Sequence, residues 1–443
     1  MTYPRFASIV LTFSVVAARA PAQVPGADTA HLLSGDSLRL GALQDTALMR
    51  DPRGRELALL MQQSRLRQQN LSAQRRPTLT LEGQAQYQSD VATIPITLPG
   101  TSVPAPPHDT YDAHLAAGQK LYDPTIGPLR AAEDAQLAEA RARLRAELYP
   151  LRQSVSDAFF AALQAQSQVS ELENTITDLE AQHRMAAARV REGAALASEE
   201  KTLRAEILRR RQSVAEASAN RRAALAILTD LTGRSYDSTT LLGSTELAVK
   251  VRQTRDSLSV LRARPEYEQF ARARALLDQQ ERSRKAQDLP RVSAFGRAGY
   301  GRPGLNPLST KFDSYWLTGI QLQWSPWTWG TDKRDRQILA LQRQIISAQE
   351  QQFADNLRRG VEQDIATIDR LEATIRDDDE IVALRESILT ETRARFNEGV
   401  VTSAEYVDRQ TDVLSARTAR ALHRVELAQA RARFLTTLGI EVR

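Results

Sequence analysis

Residues 396–408 read Phe-Asn-Glu-Gly-Val-Val-Thr-Ser-Ala-Glu-Tyr-Val-Asp. A long helical pattern runs into Gly399, breaks, and restarts at Thr402. The same event occurs earlier, where Val190-Arg191-Glu192-Gly193 gives way to Ala195–Glu200. Gly193 and Gly399 lie 206 positions apart, and so do Gly233 and Gly439. The segments 193–233 and 399–439 therefore superpose without a gap. The chain is two copies of one unit, each with a sharp turn between long helices.

Working upstream, each turn is preceded by a long helical pattern, from about Pro128 to Glu192 and from about Thr331 to Glu398. Leu151, Val155, Phe159, Leu163, Leu172, Ile176 and Leu179 recur at mostly three- and four-residue steps in the first. Val361, Ile365, Ile368, Leu371, Ile375 and Ile388 do so in the second. A helix of sixty-odd residues is about 100 Å long at 1.5 Å per residue. Shorter helices return to about Leu231 and Leu438.

Before each long helix lie two strands. Arg76–Tyr87 alternates with period two, and Pro290–Tyr300 is its twin: Pro77, Gly83 and Tyr87 match Pro290, Gly296 and Tyr300 at an offset of 213. Pro52 and Pro265, which open the preceding helices, keep the same offset. Second strands follow at Tyr111–Tyr122 and Tyr315–Trp324, after a proline-rich loop at 91–109 and its twin at 301–314. Trp316, Thr318, Ile320, Leu322 and Trp324 share one face of the last strand, and Gly319, Gln321 and Gln323 the other. The expected units are 1–22 (leader), 23–50 (N-terminal segment), 51–233 (first repeat, strands at 76–89 and 111–122), 234–260 (a mixed segment with turns and short strands) and 261–443 (second repeat, strands at 290–302 and 315–324).

Composition narrows the class. Aromatic residues make up 5% of the 443 residues, and Ala, Leu, Arg, Gln and Glu dominate the middle, as in long helices and coiled coils. The 59 basic and 54 acidic residues nearly balance, without basic blocks interleaved by aromatics, so nucleic-acid binding has no support. There is no cysteine, which excludes disulfides, thiolate metal sites and an acylated lipoprotein N-terminus. The five histidines are scattered and no nucleophile–base set stands out, so no metal, cofactor or enzyme activity is expected. Asp377–Glu380 reads as a solvated helix face or as an acidic belt. The N-terminus reads as a secretory signal: Arg5, the apolar run Ile9–Val16, and cleavage after Ala20 or Ala22. Any membrane insertion must then be through strands, since no stretch approaches about 18 apolar residues.

Strands of about ten residues suit a tilted membrane crossing. Four cannot close a barrel, for which about eight are the minimum, and an open edge is not tolerated in lipid. If the strands are membrane-embedded, several chains must pool them. Tyr111, Tyr122, Tyr300, Tyr315, Trp316, Trp324, Trp327 and Trp329 are the candidate interfacial aromatics facing outer-membrane lipid. The other reading of these strands is a small soluble sheet in a periplasmic coiled-coil scaffold or adaptor.

The doubled helix–strand–strand–helix–turn–helix plan, the R-P-x-L-x-L-x-G stretch at Arg76–Gly83 with its twin at Pro290–Gly296, and the turns R-V-R-E-G-A (Arg189–Ala194) and A-R-F-N-E-G-V (Ala394–Val400) resemble the TolC-like outer-membrane efflux protein family. The resemblance implies a mainly α fold with a membrane β-barrel portion. Long antiparallel coiled-coil helices would form an α-barrel in the periplasm, and a homotrimer would build a 12-stranded barrel in the outer membrane. It implies a passive duct for a tripartite efflux or type I secretion system, docked to a periplasmic adaptor and an inner-membrane pump. The chain differs from longer members in ending soon after Gly439, and from the lipid-anchored branch in lacking cysteine.

By the same resemblance, Glu405 and Asp408 would form the pore constriction. They sit three apart on one helix face, where threefold symmetry would make rings of like charge that select cations. Thr402-Ser403-Ala404-Glu405 is also a capping box, in which Glu405 simply ties the helix start. The first copy has Glu199 and Thr202 at these positions, so the acidic pair is not duplicated. The tips Glu192, Gly193, Ala194 and Ala195, and Glu398, Gly399, Val400 and Val401, are candidates for adaptor contact. Their glycines also serve simply to supply positive φ.

Overall fold

A computed structural model of the chain describes residues 38–91, 105–243, 246–255, 263–307 and 309–442. The expected leader at 1–22, residues 23–37 and most of the proline-rich loop lie outside the described residues. A short helix α1 (Leu40–Arg50) precedes α2 (Arg53–Ala73). The Asp51 carboxylate accepts from the Arg53 amide at 2.9 Å and sets the start of α2. Strands β1 (Thr78–Tyr87) and β2 (Asp109–Tyr122) follow, then α3 (Ile126–Leu148), α4 (Leu151–Arg191) and α5 (Ala197–Thr232). After α6 (Ala248–Arg255), the plan repeats as α7 (Pro265–Gln287), β3 (Arg291–Arg302), β4 (Asp313–Gln323), α8 (Thr331–Asn397) and α9 (Ser403–Leu438). No described helix is long and apolar enough to cross a membrane.

The two long helices differ. The second is unbroken over 67 residues. The first, expected as one helix from Pro128 to Glu192, is broken at Tyr149-Pro150 into α3 and α4. Pro150 has no N–H to donate, and its ring crowds the carbonyl four residues back. The apolar periodicity runs straight across the break, which is why the pattern alone joins the two. The Tyr149 hydroxyl donates to the Thr436 carbonyl at 2.7 Å and the Arg264 guanidinium lies 4.4 Å over its ring, which ties the break to the end of α9. The mixed segment is less strand-like than expected: among the described residues it holds one bridge, Leu38 to Leu242, and α6.

The main core forms where α1, α4, α5, α6, α8 and α9 meet, around Phe159, Phe160, Leu225, Leu228, Ile368, Phe434 and Leu435. A second, smaller cluster lies by the turns: Leu179, Leu203, Ile207, Phe396 and Tyr406. Between α8 and α9, the buried acids Asp364 and Asp378 and the exposed Asp379 find partners. Asp364 receives Arg433 at 2.6 Å and Thr437 at 2.9 Å. Asp378 meets His423 at 2.6 Å, and Asp379 meets Arg424 at 2.9 Å. In the Asp377–Glu380 run, Asp378 and Asp379 therefore reach across to α9, while Asp377 and Glu380 stay exposed.

The strands form one antiparallel sheet in the order β1-β2-β3-β4. Among the described residues, the outer edges of β1 and β4 are unpaired. The register crosses the sheet in rows, such as Leu81–Leu115–Ala298–Trp316 and Glu82–His114–Gly299–Tyr315.

Candidate functional site

The sheet has two chemically different faces. One carries Leu79, Leu81, Leu115, Ala117, Val292, Ala294, Trp316, Ile320 and Leu322. It is exposed: Leu81 keeps 82% of its surface, Trp316 74% and Ile320 73%. An apolar band of this extent bare to water is unfavourable, at about 25 cal/mol per Å². The opposite face carries Thr80, Glu82, Gln84, Asp112, His114, Lys120, Arg297 and Gln321. Here His114 Nδ1 lies 2.6 Å from Asp112 and its Nε2 lies 3.3 Å from Glu82. The Tyr315 hydroxyl reaches across β3 and donates to Asp112 at 2.5 Å. It crosses at Gly299, where a Cβ would stand 2.9 Å from the Tyr315 ring and 2.5 Å from the His114 Cβ.

Aromatic residues cluster at both ends of the apolar face. Tyr111 and Tyr300 both stack on Phe312 at the loop end. At the helix end, Trp324 donates to the Asp288 carbonyl at 3.0 Å, and Trp327 packs edge-on to Trp329. Trp329 is 81% exposed and sits at φ 53°, in the left-handed region, followed by Gly330 at φ 74°. A bulky residue held there is strained, so the fold sets this ring outward at a cost.

At the other end of the long helices, both turns share one backbone. Gly193 has φ 73° and Gly399 φ 77°. Ala194 N donates to Arg189 O at 2.8 Å, and Val400 N to Arg395 O at 2.9 Å. Glycine is needed because an L side chain at positive φ is strained. The side chains differ. Tyr406 is fully buried, stacks on Phe396, and donates to Asp178 of the other hairpin at 2.7 Å. Arg393 pairs with the same carboxylate. Arg189 crosses in the opposite sense and donates to the Phe396 carbonyl at 2.9 Å. Burial pushes the Tyr406 phenol above its ordinary pKa, and the neighbouring Arg393 only partly offsets this.

The sequence matches no protein-family model and no curated protein. Solved structures do match. The outer-membrane channel CmeC of Campylobacter jejuni aligns over 94% of this chain and 90% of its own at 14% identity, with a TM-score of 0.61. The open-state MtrE channel of Neisseria gonorrhoeae aligns over 91% and 90% at 19% identity, with a TM-score of 0.64. The outer membrane protein VceC of Vibrio cholerae covers 91% and 97% at 14% identity, with a TM-score of 0.64. The fold is that of the outer-membrane channels.

Within this channel fold, Glu405 and Asp408 are both exposed and lie opposite the buried Tyr406, Val407 and Gln410. The cap is half of the expected box: Thr402 Oγ1 accepts from Glu405 N at 3.3 Å. At the tips, Glu192, Gly193, Ala194, Glu398, Gly399 and Val400 are exposed, whereas Ala195 is half-buried and Val401 packs against the tip cluster. Leu196, at 71% exposure, is an apolar tip residue that sequence reasoning missed. Of the candidate aromatics, Tyr315 departs from its expected place. It lies on the polar face and is bound to Asp112, apart from the aromatics of the apolar face. Tyr122 reaches the apolar face only through the irregularity between Lys120 and Tyr122, which pairs it with Val292. Asp178, Arg189 and Arg393 were also missed; their partners are distant in sequence.

Proposed function

We propose that this chain is the outer-membrane exit duct of a tripartite efflux or type I secretion system. The carrying observation is the sheet, with one bare apolar face, one polar face and two unpaired edges. In lipid every backbone group must be paired, so the edges of β1 and β4 have to join further copies of the same chain. A homotrimer would pool four strands from each chain, the apolar faces turned to outer-membrane lipid and the polar faces to water. Trp324, Trp327 and Trp329 would sit at the periplasmic interface, and Tyr111 and Tyr300 at the outer one. The helices would extend into the periplasm, where the tips would meet an adaptor protein that links the duct to an inner-membrane pump.

The tips supply the control. Glu405 and Asp408 would ring the axis and hold cations there. Tyr406, Arg393 and Arg189 would hold the two hairpins together through Asp178 and the Phe396 carbonyl. The likeness to outer-membrane channels, over nine-tenths of the chain, supports this reading. The test is direct. Full-length protein should fractionate with outer membranes, resist salt washing, cross-link as a trimer in detergent, and conduct ions in planar bilayers. Release by salt as a monomer, without detergent, would refute it in favour of a soluble scaffold.

A further inference from the structure

The polar face of the sheet carries its charges sorted by height. Reading the register from the helix end, the strand residues are Arg291, then Lys120, then Arg297. In the rows beyond come Glu82, Asp112 and Asp313 toward the loop end. The change of sign falls between two adjacent rows, Thr80–Ala116–Arg297–Leu317 and Glu82–His114–Gly299–Tyr315. From Arg291 to Gly301 the strand runs about 33 Å at 3.3 Å per residue. The opposite face shows no such pattern; its charges are the Asp109–Arg302 pair at the rim, 3.0 Å apart.

The two halves are held differently. Lys120 is drawn to Asp123 at 2.9 Å, which leaves Arg291 and Arg297 as the cations of the helix half with no carboxylate partner among the described residues. In the loop half, His114 lies between Asp112 and Glu82, and Ser309 donates to Asp313 at 3.0 Å. The Tyr315 bridge over Gly299 anchors Asp112 across three strands. The loop half keeps a net negative charge with His114 counted as a cation, and the helix half a net positive one.

We propose that the strand lumen is a bipolar filter that tunes which ions and charged cargo traverse the duct, with Arg291 and Arg297 as its anion-attracting half and Glu82 and Asp313 as its cation-attracting half. This rests on the channel reading above. Fixed negative wall charge enriches cations and fixed positive charge enriches anions. With the two in series, a field that drives cations inward from the loop end and anions outward from the helix end fills the junction with carriers; the opposite field empties it. The lumen contribution to current is therefore larger with the loop side positive. Screening limits its reach to about 3 Å in 1 M salt and about 30 Å in 0.01 M salt, so it belongs to low salt.

The experiment is reversal potential under a salt gradient with full-length protein in planar bilayers. Arg291→Gln with Arg297→Gln should shift selectivity toward cations. Glu82→Gln with Asp313→Asn should shift it toward anions. Combining all four should restore the wild-type reversal potential and lower the current ratio between loop-side-positive and loop-side-negative voltages. The single changes Arg297→Gln and Glu82→Gln, at exposed side chains, should give the same opposite signs at smaller size. Arg297→Lys and Glu82→Asp should leave both readouts unchanged. All differences should vanish in 1 M salt. Conducting variants whose reversal potentials do not move, or move the same way, overturn the filter. Absence of conductance from the wild-type protein overturns the channel reading instead.

Discussion

The two hairpin tips share a backbone and differ in what their side chains touch. Positions 188–194 and 394–400 make the same turn hydrogen bonds around a glycine at positive φ. Arg189 and Arg395 are equivalent, yet Arg189 binds the Phe396 carbonyl of the other hairpin, while Arg395 pairs with Glu391 one turn back on its own helix. Glu200 in the first tip, 3.7 Å from His183, corresponds to the buried Tyr406 in the second. The duplicated backbone sets where the chain turns. The side chains decide that the second hairpin is locked into the first, and that it alone carries an exposed acidic pair.

The strongest way to break this asymmetry is Tyr406→Ala. Removing a fully buried aromatic stacked on Phe396 should cost about 3–5 kcal/mol locally. Glu200→Ala, at a half-exposed side chain 3.7 Å from His183, should cost under about 1 kcal/mol. Amide exchange should rise sharply at 396–410 in the first variant and little at 192–204 in the second; equal effects would remove the distinction. Tyr406→Phe keeps the ring but removes the donor to Asp178, an effect of about 1.5–3 kcal/mol for a bond to a charged partner. It should raise channel open probability if the link holds the hairpins closed. The same bond predicts an alkaline limit. Because burial raises the folded pKa of Tyr406, its contribution is complete below the unfolded value of about 10 and is lost as pH climbs through the raised one. Exchange at the second tip should therefore quicken above about pH 10 in wild type and show no such added dependence in Tyr406→Phe.

Glu405→Ala with Asp408→Ala should weaken block by multivalent cations about tenfold, the equivalent of roughly 1.4 kcal/mol. Glu199→Ala with Thr202→Ala should leave block unchanged; a matching loss would assign the constriction to both tips. The finest test compares Gly193→Ala with Gly399→Ala. Both place a Cβ at positive φ, at about 1–2 kcal/mol each. Only at Gly399 would it meet a neighbour, Arg189 Nη2 at 2.7 Å, on the guanidinium that donates to the Phe396 carbonyl. Thermal unfolding should show Gly399→Ala lower than Gly193→Ala by about 1 kcal/mol, the size of the Arg189 hydrogen bond it disturbs; equal losses would show that the guanidinium moves aside freely.

Much of the fold was legible from residue types. The turns could be found because only glycine takes positive φ without strain. The strands showed themselves by period-two alternation, and the repeat by constant offsets. Pro150 was also visible as a letter. It was passed over because the apolar stripe of α3 continues into α4, and periodicity records which face is buried, not whether each backbone bond is made. Tyr315 was placed among the interfacial aromatics by composition. Its true side follows from parity with Gly299 and Asp112, which needs the register of three strands. The tip link was beyond reach for a similar reason: Tyr406 and Asp178 are 228 residues apart, and nothing local to either announces the other.

By itself, the sequence determined the doubled order of helix, two strands, long helix, turn and return helix, because propensity, periodicity and turn chemistry are local properties that act over a few residues. It determined also that, if the strands lie in a membrane, four of them cannot close a barrel within one chain. The tertiary structure decided which side chains meet across the repeats: the Asp178 junction, the acids of α8 neutralised by α9, and the sorted charges on one face of the sheet. Those depend on register and helix pairing. They join side chains tens to hundreds of residues apart, and no short window along the chain contains them.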